Sequence, residues 1–199
     1  MASGLFVAAD SVNIASSMSN SVETITPELA GWISRQRIFF VATAPLAANG
    51  RVNCSPKGGD CFRILSSHSV GYLDYTGSGA ETIAHLKDNG RIVIMFCAFE
   101  GPPQIVRLHG RGEVIESSHP EFAALVAGFP PHAGARAVIR VSVSRVSTSC
   151  GHGVPFFEYR APRDLLDRWS DAKGPVGMNE YRRQKNRRSI DGLPALDAD

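Results

Sequence analysis

Between residues 137 and 146 the chain alternates, with Ile139, Val141 and Val143 on one side and Arg140, Ser142 and Ser144 on the other. A period of two describes a β-strand with one face on a core and one face in water. Comparable β-rich runs occupy residues 38–43, 51–54, 70–75, 92–96 and 105–115. Turn chemistry separates them. Asn49-Gly50 predicts a tight hairpin between the first two, and Glu100-Gly101-Pro102-Pro103 turns the chain before the longest. Gly110 and Gly112 within that longest run predict a bulge or a close backbone approach.

Helical patterns fall between these runs. Thr26-Pro27-Glu28 offers an N-cap, a proline at the first helical position and an acid in the first turn, ahead of Leu29, Trp32 and Ile33. Residues 80–89 read as a helix closed by Gly90, His119-Pro120-Glu121 opens a short one, and residues 163–172 and 176–188 form two more. Strict strand–helix alternation is absent, which disfavours a doubly wound parallel sheet. Five or more strands joined by hairpins and short connections predict a mainly β fold, an antiparallel sheet closed or nearly closed into a barrel with inserted helices.

A chain of 199 residues, 43% hydrophobic, builds one domain. Residues 1–25, rich in Ser, Ala and Asn and without Lys or Arg, read as a flexible arm. Residues 26–199 form the domain, with a helical C-terminal extension from about residue 162. The arm lacks the basic and apolar regions of a signal peptide, and no run is long enough to span a bilayer. Cys54, Cys61, Cys97 and Cys150 show no CxxC pair, so reduced thiols in a cytoplasmic protein are expected. Cys97 reads as a core thiol and Cys150 as an exposed one. The histidines show no metal-binding spacing, so no metal is expected, and His109 and His152 read as structural. Trp169, beside Leu165 and Leu166, reads as a core or interface anchor.

The net charge of +2 argues for neither nucleic acid nor membrane. Bases nevertheless crowd at Arg182, Arg183, Lys185, Arg187 and Arg188, with only Tyr181 interleaved. That favours a solvated or dimer-capping helix over an RNA-binding surface.

The chemistry concentrates between Arg51 and Arg91. Asn53-Cys54-Ser55-Pro56-Lys57-Gly58-Gly59 ends a strand with a lysine, and Tyr75-Thr76-Gly77-Ser78-Gly79-Ala80-Glu81-Thr82 leads from a strand into a helix. A glycine-rich turn at a helix start gathers free N–H groups and the positive end of the helix dipole, which suits a phosphate. Gly77 and Gly79 lack the third glycine of a dinucleotide fingerprint. A phosphate-bearing cofactor is therefore expected at this turn.

These two stretches, with Tyr72-Leu73-Asp74, Met95-Phe96-Cys97-Ala98-Phe99 and residues 107–112, resemble the pyridoxamine 5'-phosphate oxidase-related family of FMN-binding split barrels. The resemblance implies a homodimer with FMN at the subunit interface and a small-molecule substrate. Carried onto this chain, it implies cofactor contacts from Asn53, Ser55, Lys57, Tyr75, Thr76, Ser78, Gly79 and Thr82. Lys57 would reach the FMN phosphate or ring edge.

The chain departs from the vitamin oxidase in two places. Glu81 and Thr82 stand where that enzyme has an arginine-lysine pair, so the missing positive charge is expected from the basic tail, with Arg187 and Arg188 the candidates. The vitamin oxidase's C-terminal substrate signatures are also absent, so pyridoxamine phosphate is not implied as substrate. The resemblance implies an FMN-dependent oxidoreductase that takes a hydride from a small organic donor, with no catalytic side chain assigned. A flavin-binding or storage protein with little turnover, and a split barrel using deazaflavin or haem, stay open beside it.

Overall fold

The computed structural model describes residues 20–197. Its centre is one antiparallel sheet. The strands are β1 (Asn20–Val22), β2 (Ile38–Thr43), β3 (Asn53–Gly58), β4 (Phe62–Ser66), β5 (Ser69–Tyr75), β6 (Arg91–Cys97), β7 (Ile105–Glu116) and β8 (Ala135–Ser149). The order is β3-β2-β6-β7-β8-β5-β4, with β1 added on β8. The helices are α1 (Pro27–Ser34), α2 (Glu81–Asn89), α3 (Phe122–Val126) and α4 (Leu165–Lys185).

β8 organises the sheet because its 15 residues are long enough to pair with β7, β5 and β1. The alternation seen in sequence buries Ile139, Val141 and Val143, with Arg140 half-buried and Ser142 and Ser144 exposed. The register between β7 and β8 shifts at His109/Gly110, where the glycine pair predicts a bulge. A Cβ on Gly110 would lie 2.1 Å from the Ser142 carbonyl oxygen, so no side chain fits there.

The first and last strands of the order, β3 and β4, are not paired with each other. The gap makes the barrel split. Pro56 sits in β3, where an edge strand does not need its missing N–H. Side chains fill the space inside: Phe62 lies 5.2 Å from both Phe39 and Phe96, centroid to centroid, and Cys61 Sγ donates to the Gly58 carbonyl at 3.3 Å. The core continues through Val41, Ile94, Leu108, Ile115 and Ile139 into Ile83 and Leu86 of α2. Gly90 closes α2 in the left-handed region at φ 71°, and Thr26 caps α1 by accepting from Leu29 N at 3.3 Å.

The structure departs from the sequence expectations at several points. Residues 20–25 belong to the fold, because β1 pairs with β8 and Ile25 is buried; the rest of the expected arm, residues 1–19, lies outside the described residues. β4 has no counterpart in the sequence reading. It is five residues long and largely exposed along its second half, and it turns into β5 through Ser67-His68, which carries no glycine or asparagine signal. The β2–β3 connection is a nine-residue loop, residues 44–52, turning at Ala47–Gly50 instead of a two-residue Asn49-Gly50 turn. The two expected C-terminal helices, by contrast, are both present within α4, divided at a bend where Gly174, at φ 62° and followed by Pro175, is not helical. Trp169 and Tyr181 pack edge to face across that bend at 5.0 Å, with Lys173 over both rings.

Candidate functional site

Asp74, near the end of β5, is fully buried, a position a carboxylate holds only with charged partners. It has two. Arg136 Nε of β8 donates to Asp74 Oδ2 at 2.7 Å, and Lys57 Nζ of β3 donates to Oδ1 at 3.1 Å. Burial alone pushes the Asp74 carboxyl up, but the Arg136 and Lys57 charges and hydrogen bonds outweigh it and hold it below the ordinary carboxylate range. Lys57 therefore reaches from β3 to β5 and is oriented by an ion pair. Burial also raises the nearby Cys61 thiol, to about 11.

The glycine loop that follows Tyr75 is covered by the C-terminal segment. Arg182 Nε donates to Thr76 Oγ1 at 2.8 Å and its Nη2 to the Ala135 carbonyl at 2.8 Å, while Asn186 Nδ2 donates to the Gly77 carbonyl at 2.9 Å. Arg136 Nη1 donates to the Gly79 carbonyl at 2.9 Å. Beyond α4 the chain doubles back: Ser189 N donates to Leu193 O, Ala195 N to Arg187 O and Leu196 N to Asn186 O. Ala195 and Leu196 are buried and anchor this strap in the core.

Two cavities adjoin the loop. The larger, about 1580 Å³, is walled by Lys57, Tyr75, Thr76 and Gly77 together with Trp32, Phe99 and Phe157. Tyr75 stacks on His132 at 4.0 Å, and burial pushes the Tyr75 phenol up to about 12. His132 Nδ1 accepts from Gly134 N at 2.9 Å, so its proton sits on Nε2 and meets Asp167 Oδ1 at 2.7 Å. This pair joins α4 to the cleft wall. The smaller cavity, about 610 Å³, is lined by Arg51, Asn53, Ser78, Gly79, Glu81 and Arg188, among others.

The residues expected from sequence thus divide. Lys57, Tyr75 and Thr76 share the large cleft; Asn53, Ser78, Gly79 and Arg188 share the smaller cavity. Among the described residues, Ser55 Oγ is buried without a hydrogen-bond partner. Thr82 is buried and accepts from Asn53 Nδ2 at 3.0 Å, part of a polar cluster in which Thr43 Oγ1 and His85 Nδ1 lie 3.0 Å apart. Burial holds the His85 imidazole below its ordinary range, against the Glu81, Asp191 and Asp88 carboxylates.

The family model for pyridoxamine 5'-phosphate oxidase matches residues 25–150, the span from α1 through β8 that carries the loop and the buried ion pair. The chain belongs to the pyridoxamine 5'-phosphate oxidase family. The pyridoxamine 5'-phosphate oxidase family protein ustO of Aspergillus flavus is 40% identical over 191 residues, covering 87% of this chain and 76% of that protein. A histidine-to-alanine variant of Group A Streptococcus HupZ superposes with a TM-score of 0.50 at 26% identity, covering 62% of this chain and 98% of that one. A pyridoxinephosphate oxidase family protein of Clostridium acetobutylicum, related to general stress protein 26, gives 0.47 at 13% identity over 62% of this chain and 86% of its own.

Within this member of the pyridoxamine 5'-phosphate oxidase family, the sequence reading missed Asp74, Arg136, Arg182 and Asn186. Asp74 was detectable: a charged residue in the apolar run Val70-Gly71-Tyr72-Leu73-Asp74 is costly unless paired. The other three carried no local signal, since each reaches the glycine loop from at least 57 residues away.

Proposed function

We propose that this chain is a flavin-dependent oxidoreductase that binds FMN and acts on a small organic molecule. The observation that carries the reading is the convergence of Lys57, Tyr75, Thr76 and Gly77 on one aromatic-walled cleft of about 1580 Å³. Ligand pockets usually span about 300–1,000 Å³, so this cleft has room for a flavin ring and a second molecule. Family membership supports the same cofactor class.

The residues present fit the group. Trp32, Phe99 and Phe157 offer apolar walls to a ring system. The first turn of α2 has no side-chain cap, so its N–H groups remain available to an anion, and a Cβ on Gly77 would meet nothing within 4 Å. Ser78, Arg51 and Arg188 border the same turn. Bound flavin would supply two-electron transfer between donor and acceptor. The chain's own work is then to orient Lys57 through Asp74, to hold the phosphate against the loop and to keep water from the ring. Phe156, Phe157 and Tyr159, 80%, 61% and 45% exposed beside the cleft, support a second copy of the chain covering this face.

The test is spectroscopic. Purified protein is titrated with FMN, FAD and riboflavin, following flavin fluorescence, and a bound flavin is then challenged anaerobically with nicotinamide and amine donors. Saturable FMN binding and bleaching by a donor are expected. Binding without bleaching under any donor would leave a flavin-storage protein, and tight uptake of haem or deazaflavin with no flavin binding would replace the cofactor.

A further inference from the structure

Glu81 occupies the first position of α2, where an acid ordinarily stabilises a helix through the dipole. Here its side chain does something more specific. It turns back over the glycine loop, with Oε2 only 2.2 Å from where a Cβ on Gly79 would stand. Oε1 accepts from Ile190 N at 3.1 Å, a contact between the loop and the C-terminal strap. The strap is fastened on both sides of Ile190: Asn186 Nδ2 reaches the Gly77 carbonyl, and Asp191 Oδ2 accepts from Arg51 N at 2.7 Å.

Glu81 therefore shares the small cavity with Arg51, Arg188, Ser78 and Gly79. The uncapped helix start favours an anion; Arg51 is already ion-paired with Asp191 and Arg188 Nη1 donates to the Gly192 carbonyl at 2.8 Å, and a carboxylate of the chain's own, Glu81, stands at that helix start. A phosphate dianion brought into this cavity meets the Glu81 carboxylate at close range, and like charges in one site repel.

We propose that Glu81 is a specificity-determining residue, an internal anion that a phosphate monoester must displace from the glycine loop. Displacement breaks the Glu81–Ile190 contact and loosens the strap. Ligand phosphate is thereby coupled to the conformation of residues 186–196. The inference rests on the flavin reading for its ligand but not for its mechanism. It predicts that the phosphate of FMN contributes less to affinity here than an uncharged residue at this position would allow, while riboflavin, without a phosphate, is unaffected.

The experiment compares the wild-type chain with Glu81→Gln, which keeps an acceptor for Ile190 N–H and removes the charge. Dissociation constants for FMN and riboflavin are measured by fluorescence, and amide exchange of residues 186–196 is followed with each ligand. Glu81→Gln should tighten FMN at least tenfold and leave riboflavin within twofold, and FMN alone should accelerate strap exchange in the wild type. An unchanged FMN affinity, an equal gain for riboflavin, or a strap that FMN protects overturns the proposal. Inorganic phosphate separates this from the flavin reading. If neither protein binds any flavin but phosphate raises the melting temperature of Glu81→Gln alone, the flavin reading fails and Glu81's role stands. If no flavin binds and phosphate shifts both proteins equally or neither, both fail.

Discussion

Arg136 Nε donates to Asp74 Oδ2 at 2.7 Å, with side chains 5% and 0% exposed, across 62 residues of sequence. Through Lys57 the pair ties β3 to β5 and β8, two strands with which β3 shares no backbone ladder.

Removing one partner of such a pair leaves a buried charge uncompensated. Arg136→Ala should destabilise the protein by about 3–5 kcal/mol in urea unfolding. Lys57→Ala should cost less, because Lys57 is the more exposed partner and Arg136 remains. Equal losses from the two would contradict this ranking.

The same pair sets an acid response. Asp74 has a folded-state pKa below its unfolded value of about 4, so its contribution is fully present above that value. It is lost progressively as pH falls towards the folded pKa. Unfolding midpoints measured from pH 7 to pH 2 should drop below about pH 4, and Asp74→Asn should flatten that limb while lowering stability at neutral pH.

The two cavities separate two kinds of flavin contact. Arg188 lines the smaller one, so Arg188→Ala should weaken FMN roughly tenfold, about 1.4 kcal/mol, and spare riboflavin. Lys57 lines the large cleft, so Lys57→Ala should weaken both flavins. Titration of each variant with both ligands reads the difference.

Thiol accessibility follows burial. Cys54 and Cys150 are exposed, whereas Cys61 and Cys97 are buried and burial raises both thiols, Cys61 to about 11. Iodoacetamide at neutral pH should label Cys54 and Cys150 in the native protein and reach the other pair only in denaturant, as mass spectrometry of peptides will show.

At the β7 bulge, a methyl group on Gly110 would collide with the Ser142 carbonyl. Gly110→Ala should cost roughly 1–3 kcal/mol and lower the melting temperature. A comparable change at Gly153, whose Cβ position is open, should be nearly neutral.

Much of the architecture was readable before any coordinates. The runs that became β2, β5, β6, β7 and β8 announce themselves by period and composition, and Thr26-Pro27-Glu28 and Gly90 mark helix ends by cap chemistry. The glycine loop was readable for the same reason: its residue types act on their own backbone. β4 was not, because a short edge strand has weak periodicity and a turn without special residues. The division of the expected cofactor residues between two cavities was not readable either. Tyr75, Thr76, Ser78 and Gly79 are neighbours in sequence, yet the chain turns between them so that they line different walls.

By itself the sequence determined the local states: which segments extend, which coil, where a helix begins after glycines, and which family the chain resembles. Each of these depends on residues a few positions apart. Only the tertiary structure decided that Asp74 is neutralised by Arg136 and Lys57, that β3 and β4 stay unpaired, and that Ile190 lies against Glu81, 109 residues earlier. Those contacts depend on how the barrel folds the chain back on itself, and a buried charge or a free N–H takes whatever partner that path delivers.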